Sequence, residues 1–195
     1  MKTSRAKRGV EQTLLPLTTS IVVLLALDAP ALPASAAASA SGSVSLATVA
    51  WRADPLSITV PASVNLGSAS QGATINATLG TVTVSDSRAG IPPWTATVSA
   101  TNFTTGSGTP AETITTANVS YWSGPATGAS GSGSRSPGQA TAAQKAPLTA
   151  PVTAFTGRKT AALTQTTSWQ PTLVITVPAS AVPGAYTGTV THSVA

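Results

Sequence analysis

From residue 42 onward several runs of the chain alternate between apolar side chains and Thr or Ser. The runs "TVTVS" (81–85), "WTATVSA" (94–100), "LVITV" (173–177) and "YTGTVTHSV" (186–194) all carry this period. A repeat of two sends successive side chains to opposite faces of an extended strand. No stretch holds the 3.6-residue period of an amphipathic helix. Thr and Val favour the same state, because branched side chains suit a pleated surface. Clusters of Gly, Pro, Asn and Ser punctuate the runs. The pattern predicts an all-β fold, an antiparallel β-sandwich of the immunoglobulin-like, Greek-key type with about eight to ten strands.

Composition says what such a sandwich has for a core. Charged residues make up only 8% of the 195 positions, against about a quarter in ordinary domains. The hydrophobic share is 42%, but aromatics contribute 4%. The core must therefore come from Val, Ile and Leu on sheets, with four tryptophans as its few large anchors. Cysteine is absent, which excludes disulfides, thiolate nucleophiles, Cys-ligated zinc and an acylated lipoprotein anchor.

The first forty residues follow a different logic. Lys2, Arg5, Lys7 and Arg8 precede an apolar run from Leu14 to Leu27, and Ala34-Ser35-Ala36 supplies small residues two apart. This order is that of a secretory signal peptide, removed at about residue 36. The apolar run is too short for the roughly 18–20 residues that span a bilayer as a helix, so no membrane association is expected after cleavage. Residues 37–42 are expected to be a short disordered mature N-terminus, and 43–195 a single domain. Six cations (Arg52, Arg88, Arg135, Lys145, Arg158, Lys159) then face three acids (Asp54, Asp86, Glu112). That mild excess lacks the Lys/Arg density of a nucleic-acid binder. It suits weak attraction to an anionic polymer such as a bacterial wall.

Within the domain, "LSITVPAS" (56–63) returns as "LVITVPAS" (173–180), differing at one position, and "GTVT" follows each copy, at 80–83 and 188–191. Two units cannot stack into a solenoid. The expectation is two similar strand–loop–strand units in corresponding parts of a sandwich, each strand ended by a proline, Pro61 or Pro178, which lacks the ladder N–H. The segment 123–144 is dominated by Gly, Ser, Ala and Pro and is expected to be a flexible surface loop.

Candidate sites are few. "VSDSRAGIPPWTATVSA" (84–100) gathers an acid, a base, two prolines and a tryptophan. Asp86 stands where its carboxylate can accept backbone N–H groups in an Asx turn, and Arg88 can pair with it or stack on Trp94. These residues read as a hairpin corner. If Trp94 faces water, they read instead as a glycan-binding site of Arg88 and Trp94. Tyr121 and Trp122 are adjacent in a presumed strand, so one is expected in the core and the other partly exposed, where a ring can stack on sugar. His192, the one histidine, shares parity with Tyr186, Val190 and Val194, the expected inward face. No nucleophile elbow, carboxylate pair for glycoside hydrolysis or Asp-rich metal loop stands out. Neither enzymatic activity, metal nor cofactor is expected.

Three pieces together carry a family resemblance: "VSDSRAGIPPWTATVSATNFTTG" (84–106), "TITTANVSYWSG" (113–124) and "WQPTLVITVPASAVPGAYTGTVTHSVA" (169–195). Their order and spacing resemble the WxL-domain surface proteins of Gram-positive bacteria, over most of residues 42–195. The family's Trp-x-Leu signature reads Trp94-Thr95-Ala96 here, and its second signature falls on His192-Ser193-Val194, so both are degenerate. The resemblance implies a secreted cell-surface protein that binds the peptidoglycan-containing wall non-covalently and joins surface assemblies with partner proteins. The expected partner is therefore a wall glycan or a surface protein.

Overall fold

The computed structural model describes residues 17–27 and 56–195. The charged start of the expected signal, its expected cleavage site, residues 37–42, Trp51, Arg52 and Asp54 lie outside the described residues. In chain order the strands are β1 (Leu17–Leu27), β2 (Leu56–Thr59), β3 (Ser63–Ala69), β4 (Thr74–Thr78), β5 (Val82–Asp86), β6 (Pro93–Ala100), β7 (Phe103–Thr104) and β8 (Thr113–Ile114). They continue with β9 (Val119–Trp122), β10 (Ala126–Ser130), β11 (Gly133–Pro137), β12 (Ala146–Pro147), β13 (Val152–Lys159), β14 (Gln165–Trp169), β15 (Thr172–Thr176) and β16 (Ala185–Val194).

The strands form three sheets packed as a β-sandwich. The largest has the order β11-β13-β6-β16-β1-β3, with β7 pairing β16 and β8. The second runs β10-β14-β5-β2 and the third β12-β9-β15-β4. Ladders are antiparallel except that of β1 with β3, which is parallel. The predicted alternation is realised directly. On β6, Trp94, Ala96 and Val98 are buried; on β5, Val82, Val84 and Asp86 are buried; on β16, Tyr186, Val190, His192 and Val194 are buried. The strands outnumber the expected eight to ten because β7, β8 and β12 are two-residue pairings, β10 and β11 lie in the segment expected as loop, and β1 lies in the expected signal.

Two expectations change. The segment 123–144 contains strands rather than irregular loop. β10 extends the second sheet beside β14, and β11 extends the first beside β13. Arg135 staples the turn between them: it donates to Ser130 O, to Gly131 O at 2.6 Å and to Thr167 Oγ1 at 3.1 Å. Composition hid this because an outer strand needs backbone partners, not apolar side chains. The repeated octapeptides, moreover, do not take corresponding places. β2 is the edge of the second sheet, while β15 lies inside the third between β9 and β4.

The core is joined by close ring packing. Trp94 lies 6.5 Å from Phe155, and Phe155 lies 4.9 Å from Trp169, both pairs stacked. Gly157, opposite Trp94 on β13, makes room for this: a Cβ there would overlap the indole.

Candidate functional site

The corner after β5 is built on Asp86, which is fully buried. Its Oδ1 accepts the backbone N–H of Arg88 at 3.0 Å and Arg88 Nε at 3.1 Å, and its Oδ2 accepts Arg88 Nη2 at 3.1 Å. Arg88 Nη2 also donates to Pro93 O at 3.0 Å, tying the turn to the first residue of β6. The expected Asx turn and ion pair are both present. Lys159, at the end of β13, reaches across from the first sheet. Its Nζ lies 3.5 Å from Asp86 Oδ1 and donates to Arg88 O. Lys159 is itself 1% exposed. Burial pushes the Asp86 carboxyl up, but hydrogen bonds from Arg88 and the Arg88 and Lys159 charges outweigh it and hold the carboxyl below its ordinary value. One carboxylate thus bridges two cations at the seam between two sheets, and the cluster keeps a net charge of +1. That is a structural role, because no oxygen of Asp86 faces solvent.

Trp94 settles the question raised by the stretch around it. It is 2% exposed, and its Nε1 donates to Gln165 Oε1 at 3.1 Å. Gln165 in turn donates to Ser132 O at 3.2 Å. The ring is a core anchor with its one polar atom satisfied, as buried indoles require. A stacking contact with a sugar needs an open ring face, which Trp94 does not present.

Tyr121 is also fully buried. Its hydroxyl accepts Trp169 Nε1–H at 3.2 Å and lies 3.2 Å from His192 Nε2. Burial pushes the Tyr121 hydroxyl well above its usual range and pushes His192 down to about 4. His192 is therefore neutral at pH 7. Which of the Tyr121 hydroxyl and His192 Nε2 donates follows the imidazole tautomer, and His192 Nδ1 is buried without a hydrogen-bond partner. This chain of three polar tips spans all three sheets. It is closed to solvent, so it offers no general base to a substrate.

Of the four residues expected to contact glycan, Trp94 and Tyr121 are in the core. Arg88 reaches solvent with 18% of its side chain, and Trp122 is partly exposed. The split of Tyr121 inward and Trp122 outward follows the strand parity. Trp122 on β9 and Arg88 after β5 belong to different sheets, and the fold does not bring them together. Glu112, the other described acid, accepts from Thr109 N at 3.0 Å and Thr109 Oγ1 at 2.9 Å in a local turn.

The outward face of the first sheet carries no conspicuous residue, yet it is rich in hydroxyls. Here Ser136 pairs with Thr156, Thr156 with Thr95, Thr97 with Ser193, and Ser99 with Thr191. Thr97 and Ser193 share a hydrogen bond of 2.8 Å. Arg158, exposed at the rim, donates to Ile91 O at 3.2 Å. The result is a hydroxyl-bearing surface across four adjacent strands with Arg158 at one end. The signal for it was the Thr/Ser half of the same alternation that located the core. Lys159 was readable too, since it shares parity with Phe155 and Gly157.

Compared with protein-family models, curated proteins and solved structures, the chain matches none.

Proposed function

We propose that the protein is a secreted, non-enzymatic surface protein that associates non-covalently with the bacterial cell wall, as the WxL-domain family it resembles does. The observation that carries this reading is the Ser/Thr face of β11, β13, β6 and β16. Hydroxyls in rows donate and accept hydrogen bonds at spacings set by the sheet, about 4.8 Å between strands. Such a face suits a polymer of sugars, whose own hydroxyls and amides need partners of both kinds. Arg158 and Arg88 supply a weak positive field for an anionic wall. Three groups of the kinds that perform acid–base chemistry elsewhere, Asp86, Lys159 and His192, are buried here, and Glu112 is held by Thr109 in a local turn. Among the described residues no helix is long and apolar enough to cross a membrane.

The test is co-sedimentation of the protein with purified peptidoglycan sacculi at low and high salt. The expected result is pelleting that weakens with salt, and weakens further in Thr95→Val/Thr156→Val, which keeps shape but removes two hydroxyls. Trp122→Ala isolates the aromatic contribution: reduced pelleting with an unchanged melting temperature assigns a glycan contact. No pelleting at any salt concentration would overturn the reading.

A further inference from the structure

Residues 17–27, the apolar centre of the expected signal, form a central strand of the first sheet. β1 pairs with β16 over ten positions, from Leu17 with Val194 to Ala26 with Ala185. On its other side it pairs with β3, from Val22 with Ser63 to Leu27 with Ala69. Val23 is fully buried opposite Gly188 and beside Val64. Among the described residues β3 has no other ladder partner. If residues 1–36 are removed on export, β16 and β3 lose the strand between them. The mature domain is left with a slot that exposes unpaired N–H and C=O groups on both walls. Open edges of this kind are templates for another strand.

We infer that the occupant of this slot in the processed protein is the chain's own segment 43–50, running in the direction opposite to β1. The first argument is pattern. "SVSLATVA" places Val44 and Leu46 on one parity and Ser43, Ser45 and Ala47 on the other, which suits a strand with one buried apolar face. The second is reach. β2 begins at Leu56, opposite Asp86. Asp86 is bound through Arg88 to Pro93 and through Lys159 to β13. Thr95 N donates to Ala195 O at 2.8 Å. Leu56 therefore starts at the end of the sandwich where β16 finishes and β1 begins. The five residues 51–55 span about 20 Å at most, whereas the ten-residue slot is about 30 Å long. A strand laid in the direction of β1 finishes too far away to return to Leu56 and cross to the second sheet. Laid parallel to β16, it finishes beside Leu56, and the link suffices. The third argument is concentration. A tethered segment meets its slot at an effective concentration of order millimolar, ahead of a strand from another molecule.

In the unprocessed chain the two segments compete, and the one with Val23 buried holds the slot. Signal removal then exchanges one strand for another of reversed direction. This rests on the expected cleavage and is independent of wall binding.

The experiment uses the full chain with a specific protease site placed after residue 36. Native cysteine is absent, so introduced pairs report cleanly. In Val22→Cys/Thr189→Cys, a disulfide is expected before the cut. Thr189→Cys is next combined in turn with a cysteine at each of positions 44 to 49. Here an intrachain disulfide is expected only after the cut and separation of the two pieces. Moving the β16 cysteine from position 189 to position 191 should move the preferred partner two positions later, the signature of a parallel pairing. An earlier partner, no intrachain disulfide, or dimers linked through the Thr189→Cys thiol would each overturn the proposal, dimers assigning the slot to a second copy. Amide exchange is the second measurement. Protection across residues 63–69 should survive the cut and be lost when 43–50 is replaced by a Gly/Ser sequence.

Discussion

Residues 56–63 and 173–180 share seven of eight side chains in register, and the fold treats them differently. The first copy, β2, has one neighbour, β5, and its Leu56 stands opposite Asp86 at the ion cluster. The second, β15, lies between β4 and β9, and its Leu173 stands opposite Tyr121. Ile58 keeps 5% exposure and Ile175 none. Both copies form a strand and both stop before proline, so the local chain decides extension and termination. How deeply each strand is buried depends on its flanks. The edge copy leans on an ionic seam, and the interior copy leans on an aromatic and histidine core.

Truncating the isoleucine that both copies share puts this contrast at greatest risk. Ile175→Ala should destabilise by about 4 kcal/mol and Ile58→Ala by about 2, since a two-sided strand relaxes less around a cavity. Equal midpoints in urea denaturation would refute the distinction. Asp86→Asn tests the ionic support of the edge copy. It leaves Lys159 buried without its counter-charge, and a loss of about 3 kcal/mol is expected, with amide protection in β2 falling first.

Acidity should separate the two regions. Burial lowers His192 from 6.5 to about 4, so the unfolded chain binds the proton more readily. The stability this gives is present above pH 6.5 and is lost as pH falls toward 4, at up to about 1.4 kcal/mol per unit. Asp86 is lowered from 3.8, so its contribution is present above 3.8 and is lost only at lower pH. His192→Gln should flatten stability between pH 6.5 and 4 while leaving the steeper acid limb, measured by urea denaturation across pH. The smallest effect is expected from exchanging the differing residue. Val174→Ser should cost about 1–2 kcal/mol, and Ser57→Val should change stability by less than about 0.5 kcal/mol, because an edge position gains little burial.

Much of the site was legible in particular residues. Asp86, Arg88 and Trp94 could be read as a corner because an Asx turn, a nearby base and an extended proline pair are local chemistry. That Tyr121 and Trp122 face opposite ways, and that His192 faces inward, followed from parity; which ring of the pair is buried did not. Lys159 as third member of the Asp86 cluster was not legible as a pairing, because it lies 73 positions along the chain and in another sheet. The strands of 123–144 were hidden for a related reason. Their partners are backbone groups of β13 and β14, and backbone carries no sequence signature.

The state of each segment is a local matter, readable from the residues alone: alternation made strands, prolines and glycines ended them, and parity sorted side chains into core and surface. Those choices depend on neighbours a few residues away. Only the folded arrangement chose which strands are central, how two near-identical octapeptides differ in depth, and that three charged groups share one buried seam. It also placed an apolar run built like an export signal between β16 and β3. Each of these depends on pairing across long loops, where the free energy comes from burying faces and satisfying backbone groups together, and no local pattern records which faces meet.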